Sequence, residues 1–168
     1  MNSKYRIRYI GDPILRQQAQ PIVDFDKDLQ VLIEDMTRIM YKEDGIGLAA
    51  PQIGLSIQLI IIDASPVSDD EFLRILINPR VLESSGESTV EEGCLSIPGV
   101  REEVVRPERI KLNYFDEYGK EHTEDFDNWP ARIIQHEVDH LNGILFVDHI
   151  SPFKRNILIN QEIIPAVY

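Results

Sequence analysis

One segment, DNWPARIIQHEVDHLNG at residues 127–143, constrains the fold more than any other part of this chain. Its apolar residues return with the 3.6-residue period of an α-helix. Asn128 can approximate the N-cap, Pro130 suits the first turn, and Gly143 stands where a C′ glycine ends a helix. The helix should therefore be largely buried, with two histidines among its core positions. Its predicted apolar contacts are Ile133, Ile134, Val138 and Leu141.

The sequence before this segment predicts a helix, a loop and a series of strands. Residues 26–43 carry an apolar stripe at helical spacing, with Asp24 or Asp26 as the N-cap. The glycine-rich stretch DGIGLAAPQIG at 44–54 breaks this period and predicts a structured loop. Strands are predicted at 57–63, 72–78, 101–107, 109–116 and 120–126, with a hairpin turn at 117–119.

After the histidine-bearing helix, residues 144–150 are predicted to be extended. A last helix opens at Ser151 and Pro152 and ends before Pro165. This order predicts an α+β fold of mainly antiparallel β-sheets packed around the central helix, with N-terminal and C-terminal helices. We expect residues 1–168 to form a single domain.

Charge and cysteine content limit the classes of function. The net charge of −12 argues against broad nucleic-acid binding, which needs a basic face. The single cysteine cannot form an internal disulfide, in agreement with a reducing compartment. No apolar run approaches the ~20 residues of a membrane helix, and the N-terminal stretch lacks the apolar region of a signal peptide. We therefore expect a cytoplasmic protein without membrane contact.

The central helix carries two histidines four residues apart, His136 and His140. Residues at this spacing lie on one helix face, so both imidazoles can be aimed at one metal ion. Glu137 is rotated by about 100° and can reach a group bound to that ion, as in H-E-x-x-H metallohydrolases. The alternative is a buried helix whose histidines are satisfied by hydrogen bonds. His122 and His149 have no comparable neighbours and are interpreted as surface or structural residues.

A catalytic site usually needs a third protein ligand. The pattern H-E-x-x-H-x-x-G-x-x-H fails, because Gly143 is in place but position 146 is Phe. Glu162, near the end of the chain, is an unpersuasive ligand. Cys94, the only thiol, is the better candidate, although a lone cysteine is more often a small buried hydrophobe.

Three motifs occur in a fixed order and together resemble those of peptide deformylases. They are GIGLAAPQ at 45–52, EGCLS at 92–96 and QHEVDH at 135–140. The stretches GDPILR and INP are also similar to family sequence, so the resemblance covers roughly residues 5–155. It implies a hydrolase that removes the formyl group from the N-terminal formyl-methionine of newly made proteins and releases formate.

The resemblance also implies the metal and its ligands. The family usually holds Fe(II) on one Cys and two His, which are Cys94, His136 and His140 in this chain. The softness of these ligands alone leaves Zn²⁺, Ni²⁺ and Co²⁺ open. Glu137 matches the family's general acid/base, and the metal supplies a water of lowered pKa.

Further roles are implied residue by residue. The side chain of Gln52 and the backbone N–H of Leu95 match the donors to the oxyanion, although Gln52 could instead make loop hydrogen bonds only. Gly45, Ile46 and Gly47 match the substrate channel. Ile133, one turn before Glu137, is a second candidate wall for the methionine side chain. Two arginines, Arg101 and Arg132, could orient the site or form structural ion pairs.

The implied partners are formyl-methionyl peptides and nascent chains. The tail NILINQEIIPAVY contains no Lys or Arg, so a basic C-terminal ribosome anchor is not expected, although nascent chains must be met near the ribosome. Three other readings stay open. They are a small H-E-x-x-H zinc peptidase, a catalytically silent binder of formylated N-termini, and a structural metal site closed by a fourth protein ligand.

Overall fold

The structure is a computed structural model, which describes residues 4–166. Its helices are α1 (Lys27–Lys42), α2 (Asn128–Leu141) and α3 (Pro152–Asn160). Its strands are β1 (Gly47–Ala49), β2 (Leu59–Asp63), β3 (Leu73–Ser85), β4 (Ser88–Cys94), β5 (Ile97–Arg106), β6 (Arg109–Phe115) and β7 (Glu121–Asp127). Within residues 4–166, the helices are all too short or too polar to cross a membrane.

The strands form one five-stranded antiparallel sheet and one separate hairpin. The sheet has the order β1-β2-β3-β6-β7, and β4 pairs only with β5. Because side chains alternate along a strand, the apolar run of β2 supplies both faces of the sheet. Ile60 and Ile62 face α2, whereas Leu59 and Ile61 face α1. The predicted α+β fold with mainly antiparallel sheets is confirmed.

The first helix agrees with its prediction. Asp26 is the N-cap, and its side chain accepts a hydrogen bond from the backbone N–H of Leu29 at 2.9 Å. The predicted apolar stripe is buried against the sheet. The helix therefore closes one face of the sheet and leaves the other face to α2.

The central helix α2 is buried as expected, but its N-cap is Asp127 rather than Asn128. Strand β7 runs directly into the helix, so the last strand residue takes the capping position and Asn128 turns the chain with φ +50°. Asparagine tolerates such a left-handed backbone. Gly143, with φ +70°, follows the end of the helix as predicted.

Three segments differ from the prediction. Within the stretch 44–54, predicted as a loop, residues Gly47–Ala49 form strand β1 by pairing with β2. Residues 144–150 are not extended, because Phe146–Asp148 form a 3-10 turn whose Asp148 carboxylate accepts a hydrogen bond from the N–H of Leu145. Strand β4 was not predicted, since STVEEGC has only one strongly apolar side chain, Val90, and is held by its pairing with β5. The last helix begins after its Ser151 N-cap as predicted.

Candidate metal centre

The three predicted ligands meet in the structure. Cys94 ends β4 after a register shift between Glu92 and Cys94, and the two histidines project from α2. The ligand atoms of Cys94, His136 and His140 all lie within 4.8 Å of one another. Among the described residues no fourth His, Cys, Asp or Glu joins this group. The reading as a structural metal site, which needs a fourth protein ligand, therefore has no candidate residue for that ligand among those described.

The two imidazoles differ in whether Nδ1 has a hydrogen-bond partner. Nδ1 of His136 lies 2.9 Å from Oε1 of Glu92, which leaves Nε2 to face the cluster. Nε2 of His140 lies 3.4 Å from Sγ of Cys94, whereas its buried Nδ1 has no hydrogen-bond partner within residues 4–166. The reading in which hydrogen bonds satisfy both histidines thus accounts for only one of them.

The electrostatics of the cluster fit a cation. Burial alone would lower the pKa of His136, but its contacts with Cys94 and Glu92 hold that pKa well above the ordinary value. Burial and the neighbouring positive charge of His136 place the pKa of His140 well below its ordinary value. A cluster of one cysteine, one proton-holding imidazole and one neutral imidazole can bind one divalent transition-metal ion with release of protons.

Glu137 lies beside the cluster with a side chain that is 4% exposed. Its Oε2 is buried without a hydrogen-bond partner in the described part of the chain. Burial raises the pKa of Glu137 to about 7, against the opposing influence of the His136 charge. A carboxyl group with such a pKa can exchange a proton near neutral pH.

Hydrogen bonds to its own loop and to the hairpin hold the side chain of Gln52 in place. Its Oε1 accepts a hydrogen bond from the N–H of Ala49 at 2.9 Å, and its Nε2 donates to Oγ of Ser96 at 3.1 Å and to Sγ of Cys94 at 3.5 Å. Gln52 therefore makes the loop hydrogen bond that was the alternative to a catalytic role. The same hydrogen bond directs its amide N–H groups at the sulfur of Cys94.

A cavity of about 520 Å³ opens onto this cluster. His140 lies behind it, whereas the other predicted site residues line its wall. They are Gly45, Ile46, Gly47, Gln52, Cys94, Leu95, Ile133, His136 and Glu137. The unpredicted Trp129 and Val67 add to its apolar lining. This space is large enough for a peptide end with one side chain.

The two candidate arginines have different surroundings in the structure. Arg101 forms an exposed ion pair with Glu91 at 2.8 Å. Arg132 is 4% exposed and donates to Oε2 of Glu92 at 2.5 Å. The remaining histidines make structural contacts, His122 with Asp116 and His149 with Asp139.

Sequence reasoning missed the acid at the centre of this network, Glu92. Its carboxylate also binds Arg106 through Nε at 2.7 Å and through a second guanidinium nitrogen at 2.9 Å. Despite burial, which would raise it, the contacts with His136 and Arg106 lower the pKa of Glu92 to about 2. A usable signal existed, since Arg132 stands among apolar residues of a buried helix and needs a buried acid.

Comparisons with known proteins point to one family. A family model described as polypeptide deformylase matches residues 4–156. A peptide deformylase of Chlorobaculum parvum is 47% identical over 151 residues, covering 89% of this chain and 81% of that protein. One of Thermotoga neapolitana is 45% identical over 157 residues, covering 92% of each chain.

Solved structures show the same likeness. A peptide deformylase of Legionella pneumophila superposes with a TM-score of 0.88 at 42% identity, covering 96% of this chain and 94% of the other. One of Synechococcus elongatus, solved in complex with actinonin, gives a TM-score of 0.92 at 40% identity, covering 99% and 93%.

Proposed function

Because this chain belongs to the peptide deformylase family, a family of metal-dependent hydrolases that remove the N-terminal formyl group from nascent proteins, we propose that Cys94, His136 and His140 hold its metal. The observation that carries the assignment is the convergence of these ligand atoms within 4.8 Å at the wall of the cavity. The sequence resemblance favours Fe(II), and Zn²⁺, Ni²⁺ or Co²⁺ suit the same donors. When bound, the ion would polarise the formyl carbonyl and lower the pKa of water.

We propose Glu137 as the general acid/base. Its carboxylate takes a proton from the water that attacks the formyl carbon. It then delivers that proton to the departing amine as the C–N bond breaks, which leaves formate and a free N-terminus. The pKa of about 7 supports both directions of transfer, because the group is then neither fully charged nor fully protonated near neutral pH.

Gln52 and Leu95 are proposed to stabilise the oxyanion of the tetrahedral intermediate. The Ala49 N–H fixes the Gln52 side chain, so its amide donors are oriented before the reaction begins. Leu95 directly follows Cys94 in the chain and lines the same cavity, which supports this role for its backbone N–H. Each such donor contributes on the order of 3 kcal/mol in comparable sites.

The substrate is proposed to enter along Gly45, Ile46 and Gly47, with Ile133 as another wall for the methionine side chain. A Cβ on Gly47 would lie 2.7 Å from Oε1 of Glu137, so only glycine leaves this approach open. The apolar lining suits the unbranched side chain of methionine. Recognition of one side chain plus backbone would explain tolerance of varied residues further along the peptide.

The chain would act as a single domain on formylated nascent chains. It would meet them near the ribosome in the cytoplasm, where such chains emerge. The net charge of −12 supports the expectation that nucleic acid is not a partner.

The decisive experiment measures formate release from a formyl-Met tripeptide by protein purified without oxygen. The unformylated peptide, Glu137→Ala and Cys94→Ala serve as comparisons. We expect formate from the formylated peptide alone, loss of turnover with metal retained in Glu137→Ala, and loss of both in Cys94→Ala.

Other outcomes would overturn parts of the proposal. Metal loss in Glu137→Ala would mean that its role is misassigned. Cleavage inside the unformylated peptide would favour the zinc peptidase. Binding of the formylated peptide without formate release, at full metal occupancy, would favour the silent binder.

A further inference from the structure

The two elements that carry the proposed metal ligands belong to different apolar clusters. Helix α2 packs on the sheet through Ala131, Ile133, Ile134 and Leu141. The β4–β5 hairpin packs through Ile97, Val100 and Val104 on the segment around Phe146 and on α3. The two clusters meet where the ring of Phe146 stacks on His136, with the ring centroids 6.0 Å apart. This packing alone leaves the polar groups of the hairpin and of the helix to be paired.

A buried network of ion pairs and hydrogen bonds joins these two elements, and Arg132 contacts three separate parts of the hairpin. One guanidinium nitrogen donates to Oε2 of Glu92 and to the carbonyl of Val104 at 3.0 Å. The other donates to the carbonyl of Ser88 at 2.8 Å and to its hydroxyl at 2.9 Å. From one position on α2, this side chain therefore contacts the start of β4, the middle of β5 and the acid two residues before Cys94.

Arg106 makes a second, different link between the hairpin and α2. It binds both carboxylate oxygens of Glu92 and the carboxylate of Asp139 on α2, the latter at 2.9 Å. Arg106 itself belongs to β5, so its pairing with Glu92 stays within the hairpin. Without Arg132, Glu92 would keep its charge partner but lose its direct tie to an arginine of the ligand helix.

We propose that Arg132 is a positioning residue for the metal site. It fixes the β4–β5 hairpin against α2, and through Glu92 it orients His136, which lies one turn further along the same helix. This inference rests on the proposed metal ligands. It adds that a buried arginine, together with the packing of Phe146 on His136, sets the separation of the Cys and His ligands.

The test compares Arg132→Met, Arg132→Lys and Ser88→Ala with wild type. Methionine keeps an unbranched side chain but removes every donor, lysine keeps the charge without the fork, and Ser88→Ala removes one acceptor. Arg74→Met is the matched control, because Arg74 is another partly buried, ion-paired arginine that lies on the sheet away from the cavity. Metal affinity is measured by competition with a chelator, using Co²⁺ as the probe.

We expect Arg132→Met to weaken Co²⁺ binding by roughly 10- to 100-fold, the range found for outer partners of metal ligands. The cobalt–thiolate absorption bands should shift, and in metal-free protein the amides of residues 88–106 should exchange hydrogen faster. Arg132→Lys should be intermediate and Ser88→Ala mildest. Arg74→Met should lose stability without any of these changes.

The inference fails if Arg132→Met and Arg132→Lys bind Co²⁺ within twofold of wild type and keep its absorption bands. Arg132 would then be a stabilising ion pair only. Should Arg132→Met not fold, the Arg132→Lys and Ser88→Ala series still decides. If the Cys94→Ala variant instead bound Co²⁺ as tightly as wild type does, the metal assignment itself would be overturned.

Discussion

Replacing Gly47 by alanine gives a sharp test of how the carboxylate of Glu137, the proposed acid/base, is positioned. Gly47 lies in β1 with an ordinary backbone, so the substitution acts through space rather than through φ. The added Cβ would meet Oε1 of Glu137 at 2.7 Å and Cγ2 of Ile133 at 2.9 Å. Since ordinary contact begins at 3.4 Å, these two contacts are too short by about 0.7 Å and 0.5 Å.

The two opposing side chains stand one turn apart on α2 and are both buried, so neither can move away freely. Either the Glu137 carboxylate rotates or β1 shifts against its neighbour β2. Misplacing a catalytic group by about 1 Å can cost roughly 100-fold in rate, so we expect kcat to fall by roughly 10- to 100-fold. The overpacking should also lower the free energy of unfolding by about 1–3 kcal/mol.

The assay is formate release at saturating formyl-Met tripeptide, with metal content and urea unfolding measured on the same samples. Gly45→Ala is the comparison, because its Cβ would meet the flexible end of Leu95 at 2.9 Å and would not touch Glu137. It should change kcat less than Gly47→Ala does. A Gly47→Ala protein with full metal content and kcat within twofold of wild type would refute this reasoning about Glu137.

Two further predictions concern the support of α2. Arg16 binds the Asp148 carboxylate at 2.6 Å, and despite burial this contact lowers the pKa of Asp148. Asp148→Asn should therefore cost about 1–3 kcal/mol of unfolding free energy at pH 7. A lowered carboxyl pKa stabilises the fold at pH values above the ordinary pKa of the group, and this stabilisation is lost as the pH falls through the lowered pKa. Urea titrations should therefore show the stabilities of wild type and variant converging as the pH is lowered below the ordinary carboxyl range, and a constant difference would contradict the assignment. A Cβ on Gly143 would lie 2.6 Å from the Arg16 carbonyl oxygen at φ +70°, so Gly143→Ala should cost about 1–3 kcal/mol and lower Tm by roughly 2–4 °C per kcal/mol; an unchanged Tm would refute it.

The sequence predicted those parts of the fold in which periodicity and burial coincide. Helix α1 has a single apolar stripe and strand β2 a single apolar run, and each can be buried in only one way. Strand β4 has almost no apolar pattern, because its side chains bind charges rather than pack. The 3-10 turn at Phe146–Asp148 depends on the distant Arg16, and local residues do not reveal that partner.

The same distinction explains what was predicted of the candidate site. Residues that act directly on a metal or substrate must be of particular types at particular spacings, so the sequence offers Cys94, His136 and Glu137 as candidates. Glu92 needs only to be an acid within reach of His136, and many of the 29 acidic residues satisfy that before folding. Arg132 is the exception, since a buried helix face that carries a permanent charge requires an oppositely charged partner. Searching the ligand-bearing segments for that partner leads to the glutamates beside Cys94. The charged residue on an apolar helix is thus the one sequence feature that points to the network holding the ligands in place.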